Sequence, residues 1–187
     1  MSGKLDGKRV AILVADGFEQ VEMVEPRRAL EEAGAHTEIV SSAEGKVRAW
    51  DMTDWGEEFE VDVPLDRANP ADYDALLLPG GVMNPDKLRM NEKAVSFVRH
   101  FFIDHKPVAA ICHAPWMLVE AGVVRGREVT SYPSVRTDLE NAGAHWVDRE
   151  VVVDNGLVTS RNPNDIPAFN RKLVEEVAEG VHAGQHA

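Results

Sequence analysis

Pro107-Val-Ala-Ala-Ile-Cys-His-Ala-Pro115 is the stretch that decides the fold. Val108 to Ile111 are small or apolar enough for a strand covered on both faces, as strands of parallel sheets are. The chain then meets Cys112 and His113 and continues through Ala114-Pro-Trp-Met-Leu-Val119, which reads as a helix with proline in its first turn. A cysteine at such a corner lies near a helix N-terminus, where the dipole and free N–H groups favour the thiolate, the nucleophilic form. Cys112 is the one cysteine in 187 residues. A lone cysteine is also often a small buried hydrophobe, so the neighbouring segments must decide between the two readings.

Those segments alternate strand and helix. Arg9 to Ala15 reads as a first buried strand, turned by Asp16-Gly17, with a short helical turn over Phe18 to Met23. Pro26 is expected to stop that turn and open a new helix over Arg27 to Ala33, closed by Gly34. His36 to Ser41 is a second strand, Lys46 to Val63 an irregular excursion that can hold a hairpin, and Asp74 to Gly81 a strand ending in Gly80-Gly81. Asn91 caps a helix whose apolar residues, Ala94, Val95, Val98 and Phe102, recur at helical spacing. Beyond the cysteine lie a short strand at Glu128, a helix over Val135 to Ala142, a hairpin about Asn155-Gly156, and a last helix opened by Asn162-Pro163. Residues 180–187 read as a frayed tail after a core of about 8–179, in one domain without repeats.

This alternation predicts an α/β fold, a three-layer sandwich with a mostly parallel central sheet flanked by helices. In such folds ligands bind beyond the carboxyl ends of the strands. Asp16-Gly17 to Glu19, Gly80-Gly81 and Cys112-His113 all end strands, so they are expected to converge.

Twenty basic against 32 acidic residues leave a formal charge of -12. That argues against nucleic acid or an anionic membrane as partner, because both are held by clustered Lys and Arg. One cysteine cannot form an intramolecular disulfide, no apolar signal core opens the chain, and no stretch reaches membrane-spanning length. A soluble, cytoplasmic protein is expected. The seven histidines show no metal-ligand pairing; His182 and His186 would meet only if the tail were helical. Gly80-Gly81-Val82 is too short for a phosphate loop, so no cofactor and no metal are expected. Trp50, Trp55, Trp116 and Trp146 read as core or interface residues, and Trp116 and Tyr132 are candidates for a site mouth.

Six segments, taken in order, resemble the PfpI family within the ThiJ/PfpI superfamily of intracellular proteases, general stress proteins, glyoxalases and deglycases. They are Ala15-Asp-Gly-Phe-Glu-Gln-Val-Glu22, Leu78-Pro-Gly-Gly81, Leu88-Arg-Met-Asn-Glu-Lys-Ala-Val95, Ala110-Ile-Cys-His-Ala-Pro115, Thr130-Ser-Tyr-Pro133 and Val151-Val-Val-Asp154. The resemblance runs from about Arg9 to about Val177. It implies a flavodoxin-like fold in which Cys112 is the nucleophile at a strained elbow and His113 the catalytic histidine. Residue by residue, His113 can instead supply only its backbone N–H. The resemblance makes Glu19 the carboxylate touching the sulfur, raised in pKa by burial and by the thiolate; otherwise Glu19 merely starts a helix. Gly81 and His113 would be the backbone donors of an oxyanion hole. Asp86 stands where family proteases carry a glutamate that reaches the histidine of a neighbouring subunit, one methylene shorter here, and it can equally just begin a helical turn.

Three functions follow. The first is a stress-response cysteine hydrolase or lyase acting on reactive carbonyls or glycated adducts. The second is an intracellular peptidase with a Cys112–His113 dyad and Asp86 supplied by a second copy, which requires a homodimer or hexamer. The third is a non-catalytic sensor whose Cys112 oxidises to the sulfenic or sulfinic acid. A glutaminase domain would need a C-terminal His-x-Glu pair, where this chain has Arg161-Asn-Pro-Asn-Asp165.

Overall fold

The computed structural model describes residues 3–187. In chain order its elements are β1 (Arg9–Leu13), β2 (Phe18–Glu19), α1 (Gln20–Glu32), β3 (His36–Ser41), β4 (Lys46–Asp51), β5 (Asp54–Glu60) and β6 (Val63–Pro64). There follow β7 (Ala75–Leu78), α2 (Met83–Leu88), α3 (Glu92–Ile103), β8 (Val108–Ile111) and α4 (Pro115–Ala121). The chain ends with β9 (Glu128–Val129), α5 (Arg136–Asn141), β10 (His145–Trp146), β11 (Val152–Asp154), β12 (Leu157–Ser160) and α6 (Ile166–Glu179). Seven strands form one sheet in the order β11-β12-β8-β7-β1-β3-β6. All its pairings are parallel except β11 with β12, the hairpin about Asn155-Gly156.

Side chains alternate across this sheet, as a pleated strand requires. Ala11, Leu13, Leu76, Leu78, Val108 and Ala110 join the core under α3, α4 and α5. Val10, Ile12, Ala75, Leu77, Ala109 and Ile111 join the core under α1 and α6. Both faces are therefore covered, and the central strands read as unbroken apolar runs. Phe101 and Phe102 on one side and Phe169 on the other are fully buried, each worth about 1.5–3 kcal/mol of apolar transfer. Asn91 caps α3 as expected, its side chain accepting from the N–H groups of Lys93 and Ala94 at 3.0 and 3.3 Å.

Two local expectations are corrected. Phe18–Glu19 is not helical but a short strand, pairing in parallel with Ala49 and Trp50 of β4 beside the β4–β5 hairpin. Pro26 does not divide two helices; it lies inside α1, buried with Met23 and Leu30. Burial of that face outweighs the one backbone donor that proline removes. Trp55, read from sequence as core or interface, lies outside the core, 41 % exposed at the hairpin tip.

The tail, expected to fray, folds back onto the body. The guanidinium of buried Arg127 needs acceptors, and it donates to the carbonyls of Val123 and His186 at 2.8 and 2.6 Å. The His182 N–H donates to the His105 carbonyl at 2.9 Å, and the buried Gln185 side chain donates to the Lys106 carbonyl.

Candidate active site

Adjacent strands β1, β7 and β8 deliver their carboxyl ends to one place. At the end of β8, Cys112 has φ +65°, a left-handed conformation uncommon outside glycine. Its N–H donates to the Ser160 carbonyl at 3.0 Å and its own carbonyl accepts from Tyr132 at 2.8 Å. Both flanking segments thus hold the corner in its strained form. The corner also lets two successive side chains meet: Cys112 Sγ and His113 Nδ1 are 3.1 Å apart, which an extended strand forbids.

The end of β7 is built just as tightly. A Cβ at Gly80 would lie 2.4 Å from Glu22 Oε1 and 2.6 Å from both Cys112 Cβ and the Ile111 carbonyl. Only glycine fits there. Asn84, fully enclosed, ties this turn to β1: its Oδ1 accepts from the Ala15 N–H at 2.7 Å, and its amide donates to the Pro79 carbonyl at 2.9 Å. The N–H groups of Gly81 and His113 both point at the Cys112 sulfur and stabilise its anion. These are the two N–H groups named above for an oxyanion hole, and here both are gathered at the sulfur.

The carboxyl at the cysteine belongs to Glu22, not Glu19. Glu22 lies in the first turn of α1, has no solvent exposure, and accepts from the Gly80 N–H at 3.1 Å. Its Oε2 has no hydrogen-bond partner among the described residues. Burial, reinforced by the charge of Glu19, pushes its pKa up to about 8, while Gly80, Gly81 and the Cys112 thiol pull the other way. Glu19 sits three residues earlier on β2; its Oε1 accepts from the Met52 N–H at 3.1 Å. Burial raises its pKa too, but it lines the cleft at a remove from the sulfur. The helical offset of three residues from Glu19 to Glu22 was legible in the sequence. The short β2 strand, which turns Glu19 outward, was not.

The thiolate expected at this corner meets opposition as well as help. Burial first, then the charge of Glu22, drive the Cys112 pKa upward against the help of the two N–H groups. Cys112 and Glu22, whose charges oppose each other, titrate as one coupled site. His113 is pushed down by burial and is a neutral ring, stacked on Tyr132 at 4.5 Å between centroids and tilted against Trp116 at 5.3 Å. Its Nε2 lies 3.2 Å from the Ser134 hydroxyl, a partner the sequence did not point to. One tautomer accepts from the thiol and donates to Ser134; the other donates to a thiolate and accepts from it. Asp86 is exposed in the first turn of α2 and makes no hydrogen bond with His113 among the described residues.

These groups open into a cleft of about 470 Å³ whose mouth carries Trp50, Met52, Val82 and Tyr132. A soft nucleophile, a carboxyl of near-neutral pKa and two convergent N–H donors suit addition of sulfur to a carbonyl carbon. Residues 8–176 match the DJ-1/PfpI family. The chain belongs to the DJ-1/PfpI family. A deglycase of Pyrococcus horikoshii is 46 % identical over 167 residues, 89 % of this chain and 98 % of its own length. General stress protein 18 of Bacillus subtilis is 46 % identical over 168 residues, 89 % of this chain and 95 % of its own. Among solved structures, DJ-1beta of Drosophila melanogaster superposes with a TM-score of 0.82 at 29 % identity, covering 91 % of this chain and 90 % of that one. The DJ-1/PfpI sandwich is the fold the alternating pattern predicts.

Proposed function

We propose that this chain is a cysteine hydrolase or lyase of stress defence, acting on small reactive carbonyls or on the adducts they form with amines. The observation that carries it is the convergence of the Glu22 carboxyl and the Gly81 and His113 N–H groups on Cys112 at a strained corner. Relatives named as a deglycase and a general stress protein support the same reading.

The thiol adds to the aldehyde carbon of a dicarbonyl while its proton passes to the ionised form of Glu22, the minority form at neutral pH because burial lifts the pKa of this carboxyl to about 8. The alkoxide forms against the two N–H donors and takes the proton back, giving a hemithioacetal. Transfer of the aldehyde hydrogen to the adjacent carbonyl carbon, as a proton relayed by Glu22 or His113, turns this into a thioester of the hydroxy acid. Water then cleaves it and restores the thiol. From a hemiaminal adduct, the sulfur forms its bond to the carbinol carbon as the C–N bond breaks, the amine leaves with the thiol's proton, and the same hemithioacetal results.

Methylglyoxal consumption and peptide cleavage by the wild type and by Cys112→Ser test the proposal. Loss of aldehyde turnover by at least about a thousandfold in Cys112→Ser is expected. Turnover of neither substrate, with Cys112 readily oxidised by peroxide, would replace it with the sensor reading. Peptide cleavage without aldehyde turnover would replace it with the peptidase.

A further inference from the structure

At the opposite end of the molecule from any proposed chemistry, α6 and the folded-back tail bring three ligating side chains together. Glu176 and Glu179 are three residues apart and so share a helix face. Gly180, with φ +84°, ends the helix and reverses the chain. His182 then returns to that face, its backbone held by the His105 carbonyl. Its ring is wedged against the β11–β12 turn: a Cβ at Gly156 would come within 3.0 Å of His182 Cδ2. His182 Nε2 lies 2.9 Å from Glu176 Oε2 and 3.6 Å from Glu179 Oε2. One ligand atom from each residue falls within 4.8 Å of the others.

What points to a ligand is the state of the two inner atoms. Glu176 is 93 % buried, its Oε2 has no hydrogen-bond partner among the described residues, and the same holds for His182 Nε2. They are 2.9 Å apart yet not in hydrogen-bond geometry with each other. The contact is an ion pair only when His182 is protonated; with a neutral ring two enclosed lone pairs face each other and their desolvation goes unanswered. We propose that Glu176, Glu179 and His182 bind a divalent cation of the zinc class, which clips the C-terminal tail to α6.

The donor set selects the class. One imidazole and two carboxylates, with no thiolate, suit zinc and its borderline neighbours. Calcium and magnesium ask for six or more oxygens and soft copper for sulfur. Zinc bonds of about 2.0–2.2 Å in a tetrahedron place ligand atoms about 3.3–3.6 Å apart, and 2.9 and 3.6 Å bracket that spacing. Glu179 is 55 % exposed along its side chain, so ions have an entry path and water can complete the shell. The sequence pairing of His182 with His186 is not the one the fold makes, since His186 Nδ1 turns instead to the Gly184 carbonyl at 2.9 Å.

Zinc titration by calorimetry, on full-length protein carrying Cys112→Ser so that the thiol does not compete, tests the site. One zinc per chain is expected, with a rise in Tm on binding. His182→Ala and Glu179→Gln should each weaken binding at least about tenfold and abolish the Tm rise. Glu179 is exposed, so its variant will fold. His186→Ala should change neither reading. The proposal is overturned if no stoichiometric zinc binds, if binding survives both His182→Ala and Glu179→Gln, or if it is lost in His186→Ala alone.

Discussion

Two glutamates of this chain, Glu22 and Glu176, are buried, raised in pKa by that burial, and left with an Oε2 that has no hydrogen-bond partner among the described residues. They differ in their company. Glu22 faces a thiol and the N–H groups of a glycine turn, all held by strand ends. Glu176 faces an imidazole brought in by a tail and the exposed carboxylate of Glu179. Desolvation alone therefore assigns neither a role. The neighbours do, because a thiol offers a proton to exchange, whereas an imidazole lone pair beside carboxylates offers a place for a cation.

Glu22→Gln is the largest test of that contrast. If Glu22 moves the proton of Cys112, kcat/KM for methylglyoxal should fall roughly 100- to 10,000-fold, with the pH dependence that an ionising group near pH 8 confers lost along with it. An unchanged rate and pH profile would leave the two glutamates equivalent, as buried acids without chemistry.

Stability against pH separates them next. Between its ordinary value of 4.5 and about 8, the native Glu22 keeps a proton that the unfolded chain has released. Stability contributed by this group is therefore full below about pH 4.5 and falls as pH rises towards 8, by at most about 1.4 kcal/mol per unit. Glu176 is raised too, but attraction to His182 offsets part of its burial, so its share has the same sign and is smaller. Urea midpoints at pH 5 and pH 8 should show the wild type losing stability over this range and Glu22→Gln losing much less. Equal losses in both would mean that Glu22 is ionised in the native state.

Gly80→Ala probes the backbone half of the contrast. The added methyl would meet the Ile111 carbonyl at 2.6 Å, an atom of a central strand that cannot swing away. A destabilisation of roughly 1–3 kcal/mol is expected from overpacking, together with loss of turnover as the turn draws away from the sulfur. A crystal structure with the Gly81 N–H still directed at Cys112 would show that the turn is less rigid than its contacts imply.

How much of this was legible beforehand follows the same division. Apolar runs such as Val108 to Ile111 and Leu76 to Leu78 announce buried parallel strands, because period-2 burial on both faces leaves a plain composition signature. The corner at Cys112 follows from the strand running directly into Pro115. The identity of the carboxyl does not, because Glu19 and Glu22 are both compatible with a helix start. The choice is made by a two-residue pairing of Phe18–Glu19 with β4, from which no pattern arises. Ser134 and Asn84 escape for a similar reason: each works through one long-range hydrogen bond, to His113 and to Ala15. The tail reads as frayed because its polar, glycine-containing sequence hides what holds it. That anchor is the demand of buried Arg127 for acceptors, together with the seat of His182 beside Gly156.

The smallest effect concerns the orientation of His113, and it bears on whether the site is complete within one chain, as the Glu22 cluster is. Within the chain Ser134 is the partner of Nε2; Asp86 on the exposed face of α2 reaches it only if a second copy supplies it. Losing one neutral hydrogen bond is worth about 1 kcal/mol, so Ser134→Ala should lower kcat about fivefold and leave KM nearly unchanged. Asp86→Ala should cost less than that if the ring is oriented from within. A larger loss in Asp86→Ala, growing as the protein is diluted, would mean instead that the histidine is set by a carboxylate from another copy. The near-neutral partnership of Glu22 and Cys112 would then be the part of the site that a single chain holds, and the histidine the part that assembly adds.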